Sequence, residues 1–531
     1  MTVAFLLLQN YKKKMYLCRL TDENIYMKIF NNEDIRAIDR ATIENEGVTS
    51  LQLIDRVADG VAAEIMRRWR PTRPTAIFAG HGNNGADALA VAYRLIENGW
   101  QPEIYLFNIG GNRLSQECIH YKKALESLHP APMLTEVTKS FNMPDINSNW
   151  LVIDGLFGSG LHDPLPGGFQ SVVRNINDSG AKVVSIDVPS GLFADWNANN
   201  PARNIIHATL TIAIQFPRLA FLLSDNARTV GEWQMLDINL SEDAIRRTPT
   251  KFFLVERHEV RHLLRPRGEF TSKADYGSML LVSGSFGMMG AAVFAAKGAL
   301  RSGVGKLTVH TARCGYNILQ MSVPEALFNA DKHDIVVSEV KAFQKYSALA
   351  IGPGLGVNEL TANALDTLIK SLEHPAVFDA DALNCIARRQ SLLNHLPPLS
   401  ILTPHEREFD RMFGPQTSAE ARLLKAIEVS HHYNIIIVLK GRYTAVVRPD
   451  GRVYFNSSGT PAMATGGSGD VLTGVIGSLL AQGYKPEVAA VCGVFIHGWA
   501  GEIAAESQGE YGVIAGDIAD NIGKAIAQIM E

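Results

Sequence analysis

The chain has 531 residues, of which 46% are hydrophobic and 20% charged, and its formal net charge is −4. A single hydrophobic core rarely serves a chain of this length, so we expect two or three domains. The charge balance lacks the basic excess typical of proteins that bind nucleic acid or anionic membranes, and neither partner is expected. The basic residues between Lys251 and Lys273 alternate with acidic ones, which favours a solvated helix face over a binding patch.

Five cysteines are widely spaced and form no C-x-x-C pair: Cys18, Cys118, Cys314, Cys385 and Cys492. This spacing argues against a zinc site or a disulfide framework and predicts a reducing, cytoplasmic location. At the N-terminus, the apolar run 3–8 precedes the lysines at 12–14, the reverse of the order in a signal peptide, and it is too short to span a bilayer. Because Met27 is a plausible alternative start, residues 1–26 are expected to be a disordered extension.

From residue 31 onward, helix-like and strand-like segments alternate, which predicts α/β domains with parallel sheets. In the first half, the patterns predict helices at 34–41, 50–68 and 86–98, a polar loop at 81–85, and strands at 75–80, 103–107, 150–153, 182–186 and 210–214. The stretch 241–251 is charged, contains Thr-Pro-Thr and lacks an apolar face. It predicts a boundary between two domains, at 27–243 and 252–531.

The second half repeats the α/β class without an obvious internal repeat. Its apolar runs predict strands at 278–283, 306–310, 348–351, 376–378, 399–402 and 435–439, followed by a hairpin at 449–451. In parallel sheets, ligands bind outside the carboxyl ends of the strands, so the loops that follow these strands are the candidate sites.

Three such loops in the first half are rich in Gly, Asn and Asp, at 80–87, 154–161 and 187–191. Glycine allows the backbone to approach a phosphate, and Asn and Asp oxygens suit a hard cation or a ribose hydroxyl. One such loop is weak evidence, but three at successive strand ends favour a nucleotide pocket over ordinary turn chemistry.

These segments closely resemble the YjeF N-terminal domain, the NAD(P)HX epimerase family, over roughly 29–240. The resemblance implies a Rossmann-like three-layer α/β/α fold that interconverts the R and S forms of hydrated NADH and NADPH. It implies substrate contacts at Asn83, Asn84, Gly85, Ala86, Asp87, Gly158, Ser159, Gly160, Leu161, His162, Asp163 and Pro164. It further implies a potassium ion on Asn84, Asp154 and Ser190. Asp187 would contact the nicotinamide ring as the acid–base group.

The family usually reads N-N-G-G-D-G where this chain has Ala86 and Ala88 in place of two glycines. The added methyl groups are harmless if these positions are helical and damaging if they need a positive φ. In the second case, the N-terminal half would be a non-catalytic nucleotide-binding module.

The segment 465–470 ends in Gly-Ser-Gly-Asp and leads directly into an apolar helix pattern at 471–477. The N-terminus of a helix presents unpaired N–H groups to an anion, so a phosphoryl group is the expected guest. A carboxylate beside it, Asp470, suits a base that takes the proton of the attacking hydroxyl; the alternative is a helix cap. The segment resembles the G-x-G-D signature of ribokinase-type small-molecule kinases.

Together with the loops at 284–291, 352–356, 379–384 and 403–408 and with Lys440-Gly441, this segment resembles the YjeF C-terminal domain, the NAD(P)H-hydrate dehydratase family. The match covers about 252–531 and implies a ribokinase-like α/β domain. The implied reaction phosphorylates the ring hydroxyl of the S hydrate so that it can be eliminated, with ADP as the expected co-substrate and magnesium at the site. Asp470 would be the base and would contact the hydrate with Ala291, Gly354 and His405. The nucleotide would bind Lys440, Gly441, Arg442, Tyr443, Thr444 and Gly469.

Several of these assignments have simpler alternatives. Without its neighbours Thr403-Pro404, His405 would be taken for an ordinary loop histidine, and Asp379 and Asp381 could equally be turn formers. Glu408 lies one helical turn beyond His405 and could support magnesium through water. The family's usual T-P-H-P-G-E is changed here to Thr-Pro-His-Glu-Arg-Glu at 403–408.

The leading interpretation is a cytoplasmic homo-oligomer that repairs hydrated NADH and NADPH (NADHX and NADPHX) with two domains acting on one damaged metabolite. The alternative is a ribokinase-like vitamin or sugar kinase with a non-catalytic N-terminal module. The products distinguish them, because repair yields NADH and free phosphate whereas a kinase yields a phosphorylated alcohol.

Overall fold

The computed structural model describes residues 26–111 and 113–531, which form two compact units. One unit is Lys28–Thr250, and the other is Lys251–Glu531 together with Tyr26 and Met27. Most of the expected N-terminal extension, residues 1–25, lies outside the described residues. Tyr26 is buried, and its ring lies 6.0 Å from that of Phe253 and 4.8 Å from that of Tyr454. Tyr26 therefore belongs to the core of the C-terminal unit.

The N-terminal unit is built on one sheet of seven parallel strands in the order β4-β3-β2-β5-β6-β7-β8. A short strand, β1 (Met27–Ile29), precedes these strands in the chain and is not part of this sheet. The seven strands are β2 (Thr75–Ala79), β3 (Glu103–Phe107), β4 (Leu134–Val137), β5 (Leu151–Gly155), β6 (Lys182–Ile186), β7 (Leu210–Ile214) and β8 (Glu232–Leu236). The helices are α1 (Asn32–Glu46), α2 (Ser50–Arg68), α3 (Asn83–Glu97), α4 (Gln116–Glu126), α5 (Gly167–Asp178), α6 (Ala227–Val230) and α7 (Glu242–Arg247).

Alternating residues of β2 face opposite sides of this sheet. Ile77 and Ala79 pack in a cluster with α2, α3 and α4, whereas Ala76 and Phe78 pack in a second cluster with α5. Because a strand directs successive side chains to opposite faces, this partition requires helices on both sides. The Rossmann-like three-layer α/β/α fold implied by the resemblance is thereby confirmed.

The C-terminal unit contains a larger sheet with strands in the order β9-β18-β17-β16-β15-β14-β13-β10-β11-β12, antiparallel only where β17 pairs with β16 and β18. The strands are β9 (Phe252–Val255), β10 (Ser278–Val282), β11 (Lys306–Thr311), β12 (Leu327–Ala330), β13 (Ala348–Ile351), β14 (Val377–Phe378), β15 (Ile401–Leu402), β16 (Ile436–Leu439), β17 (Ala445–Val447) and β18 (Val453–Asn456). The helices are α8 (Arg257–Leu263), α9 (Met289–Arg301), α10 (Tyr316–Ser322), α11 (Glu359–Lys370), α12 (Asp381–Arg388), α13 (Glu406–Phe413), α14 (Ala419–Tyr433), α15 (Ser468–Ala481), α16 (Pro486–Gln508) and α17 (Ala515–Met530). This architecture confirms the expected ribokinase-like α/β domain.

Each sheet has a point where the chain reverses its direction of growth, between β2 and β5 in one unit and between β10 and β13 in the other. Loops that leave the carboxyl ends of two such strands diverge and leave a crevice between them. Both sets of polar loops identified in the sequence include the loops that follow these two strands, so each unit has one natural ligand site.

Helices α9 and α15 touch backbone to backbone. A Cβ atom at Gly474 would lie 1.9 Å from the carbonyl oxygen of Ala295, and one at Gly298 would lie 2.5 Å from that of Val471. Only glycine fits at such distances, so these two residues allow the close approach. The contact fixes α15, which begins two residues before Asp470, against α9, which begins two residues before Ala291.

Among the described residues, one helix is long and apolar enough to cross a membrane by length and composition, α16 with 23 residues. Within its most apolar window, 78% of the residues are buried inside the protein. Its buried residues, among them Val494, Phe495 and Ile496, belong to the core of the C-terminal unit. This is the pattern of a central core helix.

The structure adds elements that the apolar patterns do not predict. Strands β4, β8, β9 and β12 are among them, and β4 and β12 are edge strands whose half-exposed residues weaken the pattern. The supposed linker 241–251 contains α7, which has no buried residue and carries Asp243 paired with Arg246 and Arg247. Helix α3 begins at Asn83, three residues earlier than expected, so the predicted loop 81–85 is wrong in its second half.

Candidate active sites

In the N-terminal unit, Asp154 near the end of β5 is fully buried, and both of its carboxylate oxygens accept hydrogen bonds. The Ser190 hydroxyl donates to Oδ1 at 2.5 Å, while the Ser190 N–H and the Ser185 hydroxyl each donate to Oδ2 at 2.8 Å. Burial raises the pKa of Asp154, and these hydrogen bonds oppose the rise because they stabilise the carboxylate. The structure thus brings together two of the three residues expected to hold potassium.

The third, Asn84, lies in the first turn of α3. Both polar atoms of its side chain are buried, and neither has a hydrogen-bond partner within the described part of the chain. Buried amides are almost always hydrogen-bonded, so the Asn84 oxygen, unpaired among the described residues, is available as a ligand atom. An amide oxygen together with carboxylate and hydroxyl oxygens is a donor set suited to a hard cation. These residues therefore fit a potassium ion.

Asp187 follows β6 with φ of +66°, a left-handed conformation that is uncommon for a residue other than glycine. Its Oδ2 accepts a hydrogen bond from the backbone N–H of Ser159 at 2.9 Å, and its Oδ1 accepts one from Nη2 of Arg218 at 2.5 Å. A side chain at Gly158 would lie 2.9 Å from Asp187 Oδ2 and 3.1 Å from Asn84 Cγ. The expected acid–base residue, the expected substrate loop and Asn84 are therefore neighbours, and the strained backbone of Asp187 is typical of a functional site.

Arg218 was missed by the sequence reasoning. It is only 2% exposed, and its Nε and Nη1 atoms have no partner among the described residues. The available signal was its position shortly after β7, between the buried residues Phe216 and Leu219, because arginine is seldom buried unless it is paired.

The other residues expected to bind substrate differ in their surroundings. Asp87 is buried in α3, and its pKa is raised well above the usual value by burial first and then by the charges of Asp187 and Asp39. A Cβ at Gly85 would lie 1.8 Å from the carbonyl oxygen of Gly80, so this glycine is required for packing. Ala86 is buried. The remaining expected contacts are exposed or half-buried, and they are Asn83, Ser159, Gly160, Leu161, His162, Asp163 and Pro164.

Ala86 and Ala88 both lie within α3, are fully buried, and are not among the residues with positive φ. The Cβ atom of Ala88 faces Gly155, where a Cβ would approach it to 2.5 Å. The two methyl groups therefore occupy ordinary helical positions, and the departure from the family's glycines does not distort the loop.

In the C-terminal unit, Asp470 lies in the first turn of α15, which Gly467 precedes with φ of +92°. A side chain at Gly467 would come within 2.8 Å of Phe294 and 2.9 Å of Ala515, so only glycine fits this turn. The pKa of Asp470 is raised to about 7, chiefly by burial and then by the charge of Asp379, while Lys440 lowers it. A carboxylate with a pKa near neutrality is suited to act as a general base.

Asp379, which is buried, and Lys440, which is half-buried, form an ion pair beside Asp470. The Lys440 ammonium donates to Asp379 Oδ1 at 2.9 Å and lies 3.8 Å from Glu408, and the Thr473 hydroxyl donates to Asp379 Oδ2 at 2.7 Å. Burial lowers the pKa of Lys440, but the carboxylates, Asp379 first, outweigh it and leave the pKa raised. Asp379 is thus more than a turn former, and Thr473 is a contact that the sequence reasoning missed.

The expected hydrate contacts Ala291 and Gly354 are adjacent, since a Cβ at Gly354 would lie 2.9 Å from that of Ala291. Gly354 has φ of +62°, and its carbonyl accepts the Ser285 hydroxyl at 2.8 Å, which joins the loops after β10 and β13. Asp381 accepts the N–H of Gly356 at 2.8 Å, and Ala380 between the two aspartates has φ of +49°. The loops therefore meet at the crevice of this sheet.

His405 caps the N-terminus of α13. Its Nδ1 accepts the N–H groups of Arg407 at 3.1 Å and Glu408 at 3.4 Å, and Glu408 Oε2 accepts the His405 N–H at 2.9 Å. A helix begins at Glu406, where Glu406 and Arg407 replace the family's Pro-Gly. The ring keeps about half of its surface exposed, so contact with a hydrate stays a prediction.

The expected nucleotide loop is a turn closed by Thr444, whose hydroxyl donates to the Gly441 carbonyl at 3.0 Å and accepts its N–H at 3.3 Å. The Arg442 guanidinium lies 4.8 Å from the ring centre of Tyr443. A Cβ at Gly469 would lie 3.4 Å from Lys440 Nζ, so the two ends of the predicted nucleotide site are close.

Two parallel-sheet units, each with polar loops at its reversal point, define an enzyme with two separate sites, one of them of ribokinase type. Family profiles agree with this division. The profile described as YjeF-related protein N-terminus matches residues 50–220, and the profile described as NAD(P)H-hydrate dehydratase matches residues 279–524.

Two relatives extend the comparison to nearly the whole chain. The bifunctional NAD(P)H-hydrate repair enzyme Nnr of Moorella thermoacetica is 33% identical over 90% of this chain and 90% of its own. The enzyme of the same name from Thermofilum pendens is 31% identical over 95% and 97%. The ADP/ATP-dependent NAD(P)H-hydrate dehydratase of Bacillus subtilis, co-crystallised with ATP and Mg²⁺, is 31% identical and covers 52% of this chain and 97% of that chain, with a TM-score of 0.46. This chain belongs to the family of bifunctional NAD(P)H-hydrate repair enzymes, and the vitamin- or sugar-kinase alternative is not favoured.

Proposed function

We propose that the N-terminal unit interconverts R and S hydrates of NADH and NADPH and that the C-terminal unit dehydrates the S form with a nucleotide. The observation that carries the dehydratase half is Asp470, a carboxylate with a pKa of about 7 at the N-terminus of α15 beside the Lys440–Asp379 pair. These features support Asp470 as a base beside a phosphoryl group bound at the helix N-terminus.

In the dehydratase, the ring hydroxyl of the hydrate is a poor leaving group. Asp470 takes the proton of this hydroxyl while the hydroxyl oxygen attacks the terminal phosphoryl group of the nucleotide. The N–H groups of Gly467, Ser468 and Gly469 stabilise the negative charge of the transferring phosphoryl group. Elimination of the resulting phosphate ester yields NAD(P)H and free phosphate. With ADP as co-substrate the nucleotide product is AMP.

Magnesium would neutralise the phosphoryl oxygens at this site. The carboxylates fit it, because Asp379, Asp381 and Glu408 all raise the pKa of Asp470 and a divalent cation would relieve that crowding of negative charge. Glu408, paired at 3.8 Å with Lys440, is the residue expected to hold it through water.

In the epimerase, Asn84, Asp154 and Ser190 would hold potassium, which would supply a fixed positive charge beside the substrate. The unpaired buried amide of Asn84 supports this assignment. Asp187 would be the acid–base group at the epimerised carbon, since its carboxylate lies against the Gly158–Ser159 loop expected to hold the ring.

The protein is further proposed to be a cytoplasmic homo-oligomer that uses ADP. A group of exposed apolar side chains on α10, β12 and nearby loops supports self-association: Phe286, Tyr316, Ile318, Met321, Leu327 and Ile335. Exposed apolar patches on soluble proteins commonly mark association surfaces.

The test is incubation of an R/S mixture of hydrated NADH with ADP or ATP, followed by the absorbance of restored NADH and by chromatography of the products. Full recovery of NADH with stoichiometric free phosphate is expected. Accumulation of a stable phosphorylated product would contradict the proposal and favour a kinase.

A further inference from the structure

Helix α1 contacts the loop expected to bind the hydrated ring, a feature that the sequence did not indicate. The Asn32 side-chain amide donates to the carbonyl of Ser159, while the N–H of the same Ser159 donates to Asp187. A Cβ at Gly160 would lie 2.8 Å from Nη2 of Arg36. One residue of the loop is therefore held from one side by α1 and from the other by the acid–base group.

The residue that follows on this face of α1 is Asp39. Positions separated by four and then three residues lie on one helix face, so Asn32, Arg36 and Asp39 share the side that contacts the loop. Asp39 is half-buried and has no role in helix capping, which Asn31 supplies. A carboxylate on this face therefore needs another explanation.

Asp39 belongs to a cluster of charges centred on Arg218. The pKa of Asp39 is raised to about 6. Burial is the main cause, the charge of Arg218 opposes the rise, and the charge of Asp187 adds to it. Burial raises the pKa of Asp87, and the charges of Asp187 and Asp39 add to the rise; burial also raises the pKa of Asp195, where the charge of Arg218 opposes the rise. The charged residues of α7, which packs on α1, face outward and pair with one another.

We propose that Asp39 is the second acid–base group of the epimerase and works as a pair with Asp187, with Arg218 as the positioning residue between them. The proposal rests on the epimerase function proposed above. Replacement of a hydroxyl on one face of a ring carbon by a hydroxyl on the other requires a proton donor for the group that leaves and a proton acceptor for the water that arrives. Asp187, which accepts the Ser159 N–H of the loop, and Asp39, on the face of α1 that contacts the loop, are two carboxylates from different elements that meet this need.

The reaction balances without any further reactant. Protonated Asp39 gives its proton to the ring hydroxyl, the C–O bond breaks, water departs, and the lone pair of the ring nitrogen forms a C=N⁺ bond. A water molecule then adds to the opposite face of the same carbon and gives its proton to the Asp187 carboxylate. One oxygen is exchanged with solvent, no electron is transferred, and the reverse reaction begins from the exchanged protonation states.

Arg218 interacts differently with Asp187 and with Asp39. Its Nη2 donates a charge-assisted hydrogen bond to Asp187 Oδ1, whereas burial is the largest influence on Asp39 and raises its pKa to about 6. Because Arg218 nitrogens Nε and Nη1 are buried without partners within the described chain, the guanidinium retains donors for the water that enters or leaves.

The test uses the full-length protein and the R hydrate without nucleotide, so that the dehydratase is idle, with R and S forms separated by chromatography. Asp39→Asn is expected to lower kcat on the order of 10²–10⁴-fold with KM within a few-fold of wild type. Wild-type kcat/KM should fall as pH rises above about 6, where Asp39 loses its proton, and this limb should vanish in Asp39→Asn. Glu44→Gln, an exposed carboxyl on the same helix, is the matched control.

Asp39→Glu keeps the acid and should recover part of the rate, which a purely structural role would not predict. If wild type epimerises and Asp39→Asn does so within threefold, or retains the alkaline limb, Asp39 is not the second acid. If wild type itself fails to epimerise the R hydrate, the proposed function fails instead. Circular dichroism and thermal unfolding of each variant separate loss of chemistry from loss of folding.

Discussion

The ammonium of Lys440 donates a 2.9 Å hydrogen bond to Asp379, and these two residues act in opposite directions on the pKa of Asp470. Asp379 raises that pKa and Lys440 lowers it, while burial makes the largest contribution. The pair is itself fixed to the helix that carries Asp470, because Thr473 donates to the second oxygen of Asp379. Burial and two opposed charges at strand ends thus set the basicity of Asp470, and one of these charges is hydrogen-bonded to the helix that carries it.

Asp470→Asn should abolish NADH recovery while leaving ADP binding nearly intact. The amide preserves the shape of the first turn of α15 but cannot accept the hydroxyl proton, and loss of a general base costs on the order of 10²–10⁴-fold in rate. The rate is measured by NADH absorbance and ADP binding by calorimetry. Recovery within a few-fold of wild type would rule out Asp470 as the base.

The pH dependence of dehydration should report this base. Activity requires the deprotonated form, so kcat/KM should fall as pH decreases through about 7. Asp381→Asn removes a negative neighbour that raises the pKa of Asp470, so the limb should move to lower pH. If the acid limb of the pH profile does not move, Asp470 is not the titrating group. The control is Asp366→Asn, the same exchange at an aspartate on α11, which should leave the limb unchanged.

Lys440→Ala should weaken ADP binding more than hydrate binding. Loss of one charge-assisted hydrogen bond is worth about 1.5–3 kcal/mol, which corresponds to about 10- to 100-fold in affinity. Lys425→Ala, a lysine paired with Glu428 on α14, is the matched control. Unchanged ADP affinity by calorimetry would place Lys440 outside the nucleotide site, and unfolding measurements should accompany the assay because Asp379 loses its partner.

Asp187→Asn should split repair of an R/S mixture into two phases. Asparagine tolerates the left-handed backbone of Asp187, so the fold is retained, but the acid–base function is lost. The S hydrate should be dehydrated at the normal rate, and the R form only as fast as it epimerises spontaneously. The fast amplitude should equal the starting S fraction.

The matched control for this experiment is Asp178→Asn, an exposed aspartate at the end of α5, which should retain the single fast phase. If wild type already shows two phases with the same amplitudes, the N-terminal unit is a binding module and not an epimerase.

Ala88→Gly should destabilise the protein without improving epimerisation. Glycine within a helix costs roughly 0.5–1 kcal/mol relative to alanine, and the buried methyl contact with Gly155 is lost as well. Urea unfolding measures the first effect and chromatography of R and S hydrates the second. A large gain in epimerase rate would contradict this prediction and show that Ala88 impairs the site relative to the family's glycine.

The sequence predicted the central strands well because they are buried on both faces and read as uninterrupted apolar runs. Strands β3, β6, β7 and β13 have the expected bounds. It failed for edge elements such as β12, where exposed positions remove the signal. It also failed at the start of α3, where Asn83 and Asn84 are typical turn residues that here form the first helical turn.

For the sites, the sequence could indicate single loops but not the contacts among them. Asp379 and Lys440 are 61 residues apart, and nothing in either motif requires their ion pair. Arg218 and Asp39 escaped notice for a similar reason, since each is a lone charged residue whose partners come from elements distant in sequence. Thr473 left a detectable signal, because it lies three residues after Asp470 and shares its helix face.

The contact between Gly474 and Ala295 bears on how the dehydratase could evolve or be re-engineered. Two helices whose backbones are in contact cannot change their separation gradually. The distance between Asp470 and Ala291 should therefore stay the same among related enzymes. A larger or smaller substrate would have to be accommodated by exposed side chains such as Met288 or by the exposed turn at Gly441 and Arg442. Changes of specificity in this enzyme should therefore accumulate in those loops, while α9 and α15 retain their glycines.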